Sequence, residues 1–124
     1  AYTLRSAGTQ ADLTAVRVLS VSQVVLGGAG ATVRYSTNGG SSFQNSTLSP
    51  ALNASSSVTA ISHAGNRVLL AAGASLYRSE NGGQSFSLET NLPSGGGRSI
   101  QSISIASEGY GYLVGTGGLA YQIQ

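Results

Sequence analysis

The chain has 124 residues, 18 of them glycine, only 8% charged, and a formal net charge of +2. That length suffices for one domain with a core and is too short for a second of ordinary size. The absence of cysteine excludes disulfides and thiolate metal ligands, and no run approaches the roughly 18 apolar residues of a membrane-spanning helix. Its six arginines (Arg5, Arg17, Arg34, Arg67, Arg78 and Arg98) are scattered against Asp12, Glu80, Glu89 and Glu108. Scattered cations do not form the basic stripe of a nucleic-acid binder, so no nucleic-acid partner is expected.

In chain order, Ala1–Ser6 reads as a short alternating extended segment with no other strand of its own unit. Three series of alternating, β-branched runs follow. Leu13–Leu19, Val58–Ser62 and Ile100–Ala106 open the units; Gln23–Gly27, Arg67–Ala71 and Tyr110–Val114 come second; Ala31–Ser36, Ser75–Ser79 and Leu119–Ile123 come third. A fourth strand is expected near Ser42–Asn45 and Ser85–Glu89. The third unit stops at Gln124, before a fourth strand. Loops rich in Ser, Gly, Asn and Pro, Thr47–Ser57 and Asn91–Ser99, connect the units and are expected to be irregular.

Between the third and fourth strands an eight-residue sequence occurs twice, Ser36-Thr37-Asn38-Gly39-Gly40-Ser41-Ser42-Phe43 and, 43 residues later, Ser79-Glu80-Asn81-Gly82-Gly83-Gln84-Ser85-Phe86. A fixed period in the forties with a glycine turn between apolar runs is the sequence form of four-stranded β-propeller blades. The expected fold is all-β: a single propeller-forming domain over 1–124, with blades at 13–50, 57–92 and 100–124, the last lacking its outer strand. Residues 1–6 are the orphan outer strand. Gly39, Gly40, Gly82 and Gly83 supply the positive φ of a tight turn, while Ser36, Asn38, Ser79 and Asn81 bond to nearby backbone, and Phe43 and Phe86 anchor the turn in the blade.

These residues resemble the Asp-box, or BNR, repeat of sialidase-type propellers, with Asn38 and Asn81 where that family has Asp. The segments Val25-Leu26-Gly27-Gly28-Ala29-Gly30 and Tyr112-Leu113-Val114-Gly115-Thr116-Gly117-Gly118 are similar to the strand–Gly–strand segments of BNR propellers, including the photosystem II assembly-factor type. The resemblance implies the propeller fold and a structural box lying away from any active or binding site. Asn in place of Asp keeps a carbonyl acceptor for turn N–H groups and gives up the carboxylate charge, which argues against calcium at the turns.

No catalytic constellation is visible, so the chain is expected not to be an enzyme. A sialidase-like site needs arginines, a tyrosine with a carboxylate partner and an acid/base carboxylate. Yet Glu80 lies within a structural turn, Asp12 precedes a strand, and nothing places Glu89 or Glu108 near a tyrosine. His63 is the sole histidine and reads as an exposed turn residue. There is no Gly-x-Ser-x-Gly elbow and no phosphate loop, and no cofactor or metal is expected.

The candidate ligand-binding residues are Arg34 and Tyr35, Tyr77 and Arg78, and Tyr121, which fall at equivalent places on the third strands with the Arg/Tyr order exchanged between units. The structural alternative is tyrosines packed between sheets and arginines reaching to solvent. Three blades leave two apolar faces and a strand edge open to water. The expectation is therefore a homodimer closing a six-bladed ring, with Ala1–Ser6 of each copy completing the last blade of the other. In function, this is a non-catalytic binding or structural scaffold that self-associates, with a protein or glycan as further partner and an extracellular or virion-borne setting favoured by the low charge. The alternatives are a glycan-binding lectin with sites between blades, or a fragment of a larger BNR propeller.

Overall fold

A computed structural model describes residues 2–91, 99–106 and 110–123. Ala1, the stretch 92–98 with Pro93, Gly95–Gly97 and Arg98, the stretch 107–109 with Glu108, and Gln124 lie outside the described residues. The described chain is built from three sheets in sequence order, antiparallel except for one added edge strand. The first comprises β1 (Leu13–Val18), β2 (Val24–Gly28), β3 (Thr32–Ser36) and β4 (Gln44–Asn45), in the order β1-β2-β3-β4. The second comprises β6 (Val58–Ala64), β7 (Arg67–Ala72), β8 (Ser75–Ser79) and β9 (Ser85–Asn91), with β5 (Thr47–Ser49) added at its outer edge. The third comprises β10 (Ile100–Ile105), β11 (Gly111–Gly115) and β12 (Ala120–Ile123). These are three up-and-down blades, the last ending in the open edge of β12.

The repeat extends to an irregularity that the sequence does not announce. Each blade has a register shift at the start of its first strand, between Leu13 and Ala15, between Val58 and Ala60, and between Ile100 and Ser102. A bulge at one place in every blade bends the inner strand in the same sense. Register also fixes which residues are equivalent. Arg34 stands across from Leu26, Tyr77 across from Leu70 and Tyr121 across from Leu113.

Strand alternation gives each blade two faces, and the faces stack in one direction. The face of the second blade bearing Val58, Ile61, Val68, Leu70, Tyr77 and Phe86 packs on Val25 and Val33 of the first blade. Its opposite face, with Ala60, Leu69, Ala71 and Leu76, packs on Ile100, Ile103 and Leu113 of the third. Side chains tie the inner strands across both seams. The Thr14 hydroxyl donates to the Val58 carbonyl (2.8 Å), and its equivalent Thr59 donates to the Ile100 carbonyl (2.6 Å). Arg17 donates from Nε and Nη2 to the Ile61 carbonyl, at 3.1 and 3.0 Å.

The segment Thr47–Ser57, expected to be irregular, departs from that reading. Thr47–Ser49 forms β5, running parallel to β9 with Leu48 across from Phe86. An extended Thr-Leu-Ser segment leaving the first blade passes along the outer edge of the second, where Leu48 covers the core and the Thr47 N–H donates to the Gln84 carbonyl (3.1 Å). His63 likewise lies within β6, half-buried, with Nδ1 3.2 Å from the Gly65 carbonyl oxygen. Residues 2–6 form no strand within this chain, and Tyr2 and Leu4 are fully exposed. A strand needs an edge to pair with, and the open edge of β12 belongs to the blade at the far end of the chain.

Candidate functional site

The two turns carrying the repeated motif have the same hydrogen-bond pattern. In the first, Ser36 Oγ accepts from the N–H groups of Asn38 (3.3 Å) and Gly40 (2.9 Å) and donates to Asn38 Oδ1 (2.8 Å). Asn38 Oδ1 also accepts from the Ser42 N–H (3.0 Å), while Nδ2 donates to Ser42 Oγ (2.9 Å). Ser79, Asn81, Gly83 and Ser85 repeat each of these bonds within 0.1 Å. The Asn side chain therefore reaches four residues onward. Gly39, Gly40, Gly82 and Gly83 have φ of 69°, 90°, 73° and 91°, a region that side chains with a β-carbon rarely adopt.

The five candidate ligand-binding residues lie in three different environments. Tyr77 is 3% exposed, in the core between the first two blades, and its hydroxyl donates to the Pro50 carbonyl (2.8 Å). Burial pushes its pKa above the ordinary tyrosine value. Arg34, at the equivalent place one blade earlier, donates to Asn45 Oδ1 (2.5 Å) and to the Phe43 carbonyl (2.8 Å). Gly8 crosses directly over the Arg34 guanidinium, and Arg34 Nε is buried with no partner among the described residues. Tyr121, the third equivalent, is 36% exposed because the outer strand that would flank β12 is not in the described chain.

Tyr35 and Arg78 share the other register position and point to the opposite face. The Tyr35 hydroxyl donates to Gln44 Oε1 (3.1 Å). Arg78 is held by Glu80, 2.6 Å from its Nε, and by Glu89, 3.6 Å from its Nη1. All three charged side chains remain more than a third exposed, so the pairs orient Arg78 more than they stabilise the fold. Around them lies a groove of about 530 Å³, lined also by Thr47, Ser49, Phe86 and Ser87. The sequence reading missed the two carboxylates as partners of Arg78. The signal was Glu80 two residues after it, together with the strand pairing that brings Glu89 alongside.

Two shallower surfaces were not singled out from sequence. A groove of about 300 Å³ runs along the inner strands of all three blades, with Thr14, Arg17, Thr59 and Gln101 on its wall. Another, of about 320 Å³, lies on the open face of the third blade beside Ser104, Tyr110, Tyr112 and Gln122. Among the described residues no three His, Asp or Glu side chains gather as a metal site would require. Nor, among the described residues, does any helix have the length and apolarity to cross a membrane.

No protein-family model matches the chain, and a search of curated proteins returned no match. Solved structures do match. The chain superposes on YCF48 bound to D1 peptide with a TM-score of 0.81 at 21% identity, covering 94% of this chain and 38% of that one. It superposes on YCF48 from Cyanidioschyzon merolae at 0.79 and 16% identity, covering 93% and 37%. An ancestral GH74 enzyme gives 0.68 at 20% identity over 90% of this chain and 17% of the other. The fold is that of a β-propeller. At these identities the likeness establishes architecture alone, and the chain spans under two-fifths of the YCF48 structures. With both a peptide-bound protein and an enzyme among its neighbours, the fold is compatible with binding and with catalysis.

Proposed function

We propose that this chain is a non-catalytic propeller scaffold that binds other proteins and is completed to a six-bladed ring by a second copy of itself. One observation carries the reading: the first blade has an open face whose residues belong in a core. Leu13 and Val16 are 38% and 60% exposed, whereas their register equivalents Val58 and Ile61 are 0% and 4% exposed. Val18, Val24, Leu26 and Phe43 continue the same face. A contiguous apolar face of this kind marks an interface, and two copies give six blades, within the usual range for closed propellers. In this assembly residues 1–6 of each copy supply the outer strand beside β12 of the other.

The likeness to YCF48 bound to D1 peptide supports a protein rather than a small molecule as the further partner. The exposed pair Tyr110 and Tyr112 gives the lectin alternative its one favourable observation, since tyrosine faces can stack on sugars. Coverage of 38% of the YCF48 chain supports the other alternative, a segment of a larger propeller. Panning immobilised protein against a displayed-peptide library and probing it on a glycan array separates the first two. Enrichment of related peptides without saturable glycan binding is expected. Saturable saccharide binding at more than one site per chain would overturn the protein-binding reading.

A further inference from the structure

The two internal seams allow the missing one to be written out residue by residue. At the seam between the first and second blades, the turn glycines Gly82 and Gly83 lie against Gln23 and Val25. By register, Gly39 and Gly40 are the equivalents of that glycine pair, and Tyr110 and Tyr112 are the equivalents of Gln23 and Val25. Tyr110 and Tyr112 are 60% and 56% exposed on the free face of the third blade, and a β-carbon placed on Gly40 would meet only Phe43 of its own turn, with no side chain from another blade. The inner strands carry the same logic. Thr14 and Thr59 donate to the carbonyls of Val58 and Ile100, and Ser62 Oγ accepts from the Ile105 N–H (3.3 Å). Their third-blade equivalents, Gln101 and Ser104, face no blade among the described residues, and by register the matching acceptor and donor are Leu13 and Val18 on the open face of the first.

From this register we infer a specific seam between copies: Tyr110 and Tyr112 of one chain cover the Gly39–Gly40 turn of the next, while the Gln101 side-chain amide donates to the Leu13 carbonyl and Ser104 Oγ accepts from the Val18 N–H. The inference rests on the reading that a second copy closes the ring, and it names the surface through which it does so. The occupant is a second copy because each open face repeats one half of an interface formed twice within the chain, so the two open faces are complementary to each other. The tyrosines replace the smaller Gln23 and Val25 at a turn where Gly39 is exposed and Gly40 lies beneath it, so that a flat aromatic face packs there without displacing a β-carbon.

The chain has no cysteine, which makes the test direct. Tyr112→Cys and Ser41→Cys, both exposed positions, are prepared separately, mixed and treated with a short bismaleimide. The seam predicts a covalent heterodimer from the mixture and none from either variant alone, and loss of that product when Val16→Asp is added to the Ser41→Cys chain. Light scattering on the same variants separates the two levels of the claim. A dimer that fails to cross-link would overturn this seam and leave self-association standing. A monomer at every concentration, with no cross-link, would overturn both.

Discussion

Gly83 in the second turn lies so close to the side chain of Val25 in the neighbouring blade that a β-carbon on it would overlap Val25 Cγ2. Its φ of 91° adds backbone strain to any replacement. Gly83→Ala is therefore expected to destabilise the chain by about 2–4 kcal/mol, the sum of a left-handed residue and an overpacked seam. Gly40→Ala has the same strain, but the nearest atom to its β-carbon would be Phe43 Cζ at 3.8 Å. Its cost should be nearer 1–2 kcal/mol, about the left-handed penalty alone, in a single copy. Chemical denaturation of both variants measures the difference; equal costs under monomeric conditions would contradict the packing described.

Ser79 is buried and its hydroxyl is the centre of the second turn, accepting from Asn81 and Gly83 and donating to Asn81. Ser79→Ala leaves the buried Gly83 N–H without its acceptor, a loss of about 1–3 kcal/mol. Asn81→Asp should be much milder, since a carboxylate still accepts from the Ser79 hydroxyl and the Ser85 N–H. Only the Nδ2 donation to Ser85 Oγ changes, and that hydroxyl can rotate to donate instead. Paired denaturation curves check the order; an Asp variant weaker than the Ala variant would refute it.

Thr59 ties the second blade to the third through the Ile100 carbonyl. Thr59→Val keeps the shape and removes the donor, so a loss of about 1 kcal/mol is expected. Hydrogen exchange should show it as faster opening of β10–β12 with little change in β1–β4. Uniform acceleration across all three blades would mean that the seam is not a local tie.

Tyr77 links burial to pH. Its pKa is raised in the folded chain, so the neutral phenol is favoured there, and the stabilisation is complete below the unfolded value of about 10. Above that pH the unfolded chain releases the proton first, and stability falls as pH rises toward the folded pKa. Spectrophotometric titration should show one tyrosine ionising after the others, and Tyr77→Phe should remove that late step while costing about 0.5–1.5 kcal/mol near neutral pH. A titration in which Tyr77→Phe removes an ordinary early step would contradict its burial.

The strand series and the glycine turns were legible because each depends on residues close in sequence: alternation marks a strand, and Ser-x-Asn-Gly-Gly marks a turn needing positive φ. The bulges at Leu13, Val58 and Ile100 were not, because a bulge is a property of a pair of strands and leaves no local residue signature. Nor was β5, since Thr47–Ser49 sits beside Pro50 in a polar stretch and becomes a strand only where Phe86 and the edge of β9 meet it. The Arg/Tyr exchange was visible from spacing, but not the separation it produces. Both tyrosines face a neighbouring blade, but Tyr77 has β9 beside it and is 3% exposed, whereas Tyr121 lies on the open edge strand β12 and is 36% exposed.

The most direct test of the account is the solution mass of the chain, by light scattering coupled to size exclusion over a range of concentrations. A closed pair of three-blade chains predicts a stable species at twice the 12.4 kDa chain mass. It further predicts that Val16→Asp returns this species to 12.4 kDa without unfolding it, because Val16 is exposed in the single chain. A monomer throughout the range, with the wild type and Val16→Asp indistinguishable, would contradict ring closure by self-association.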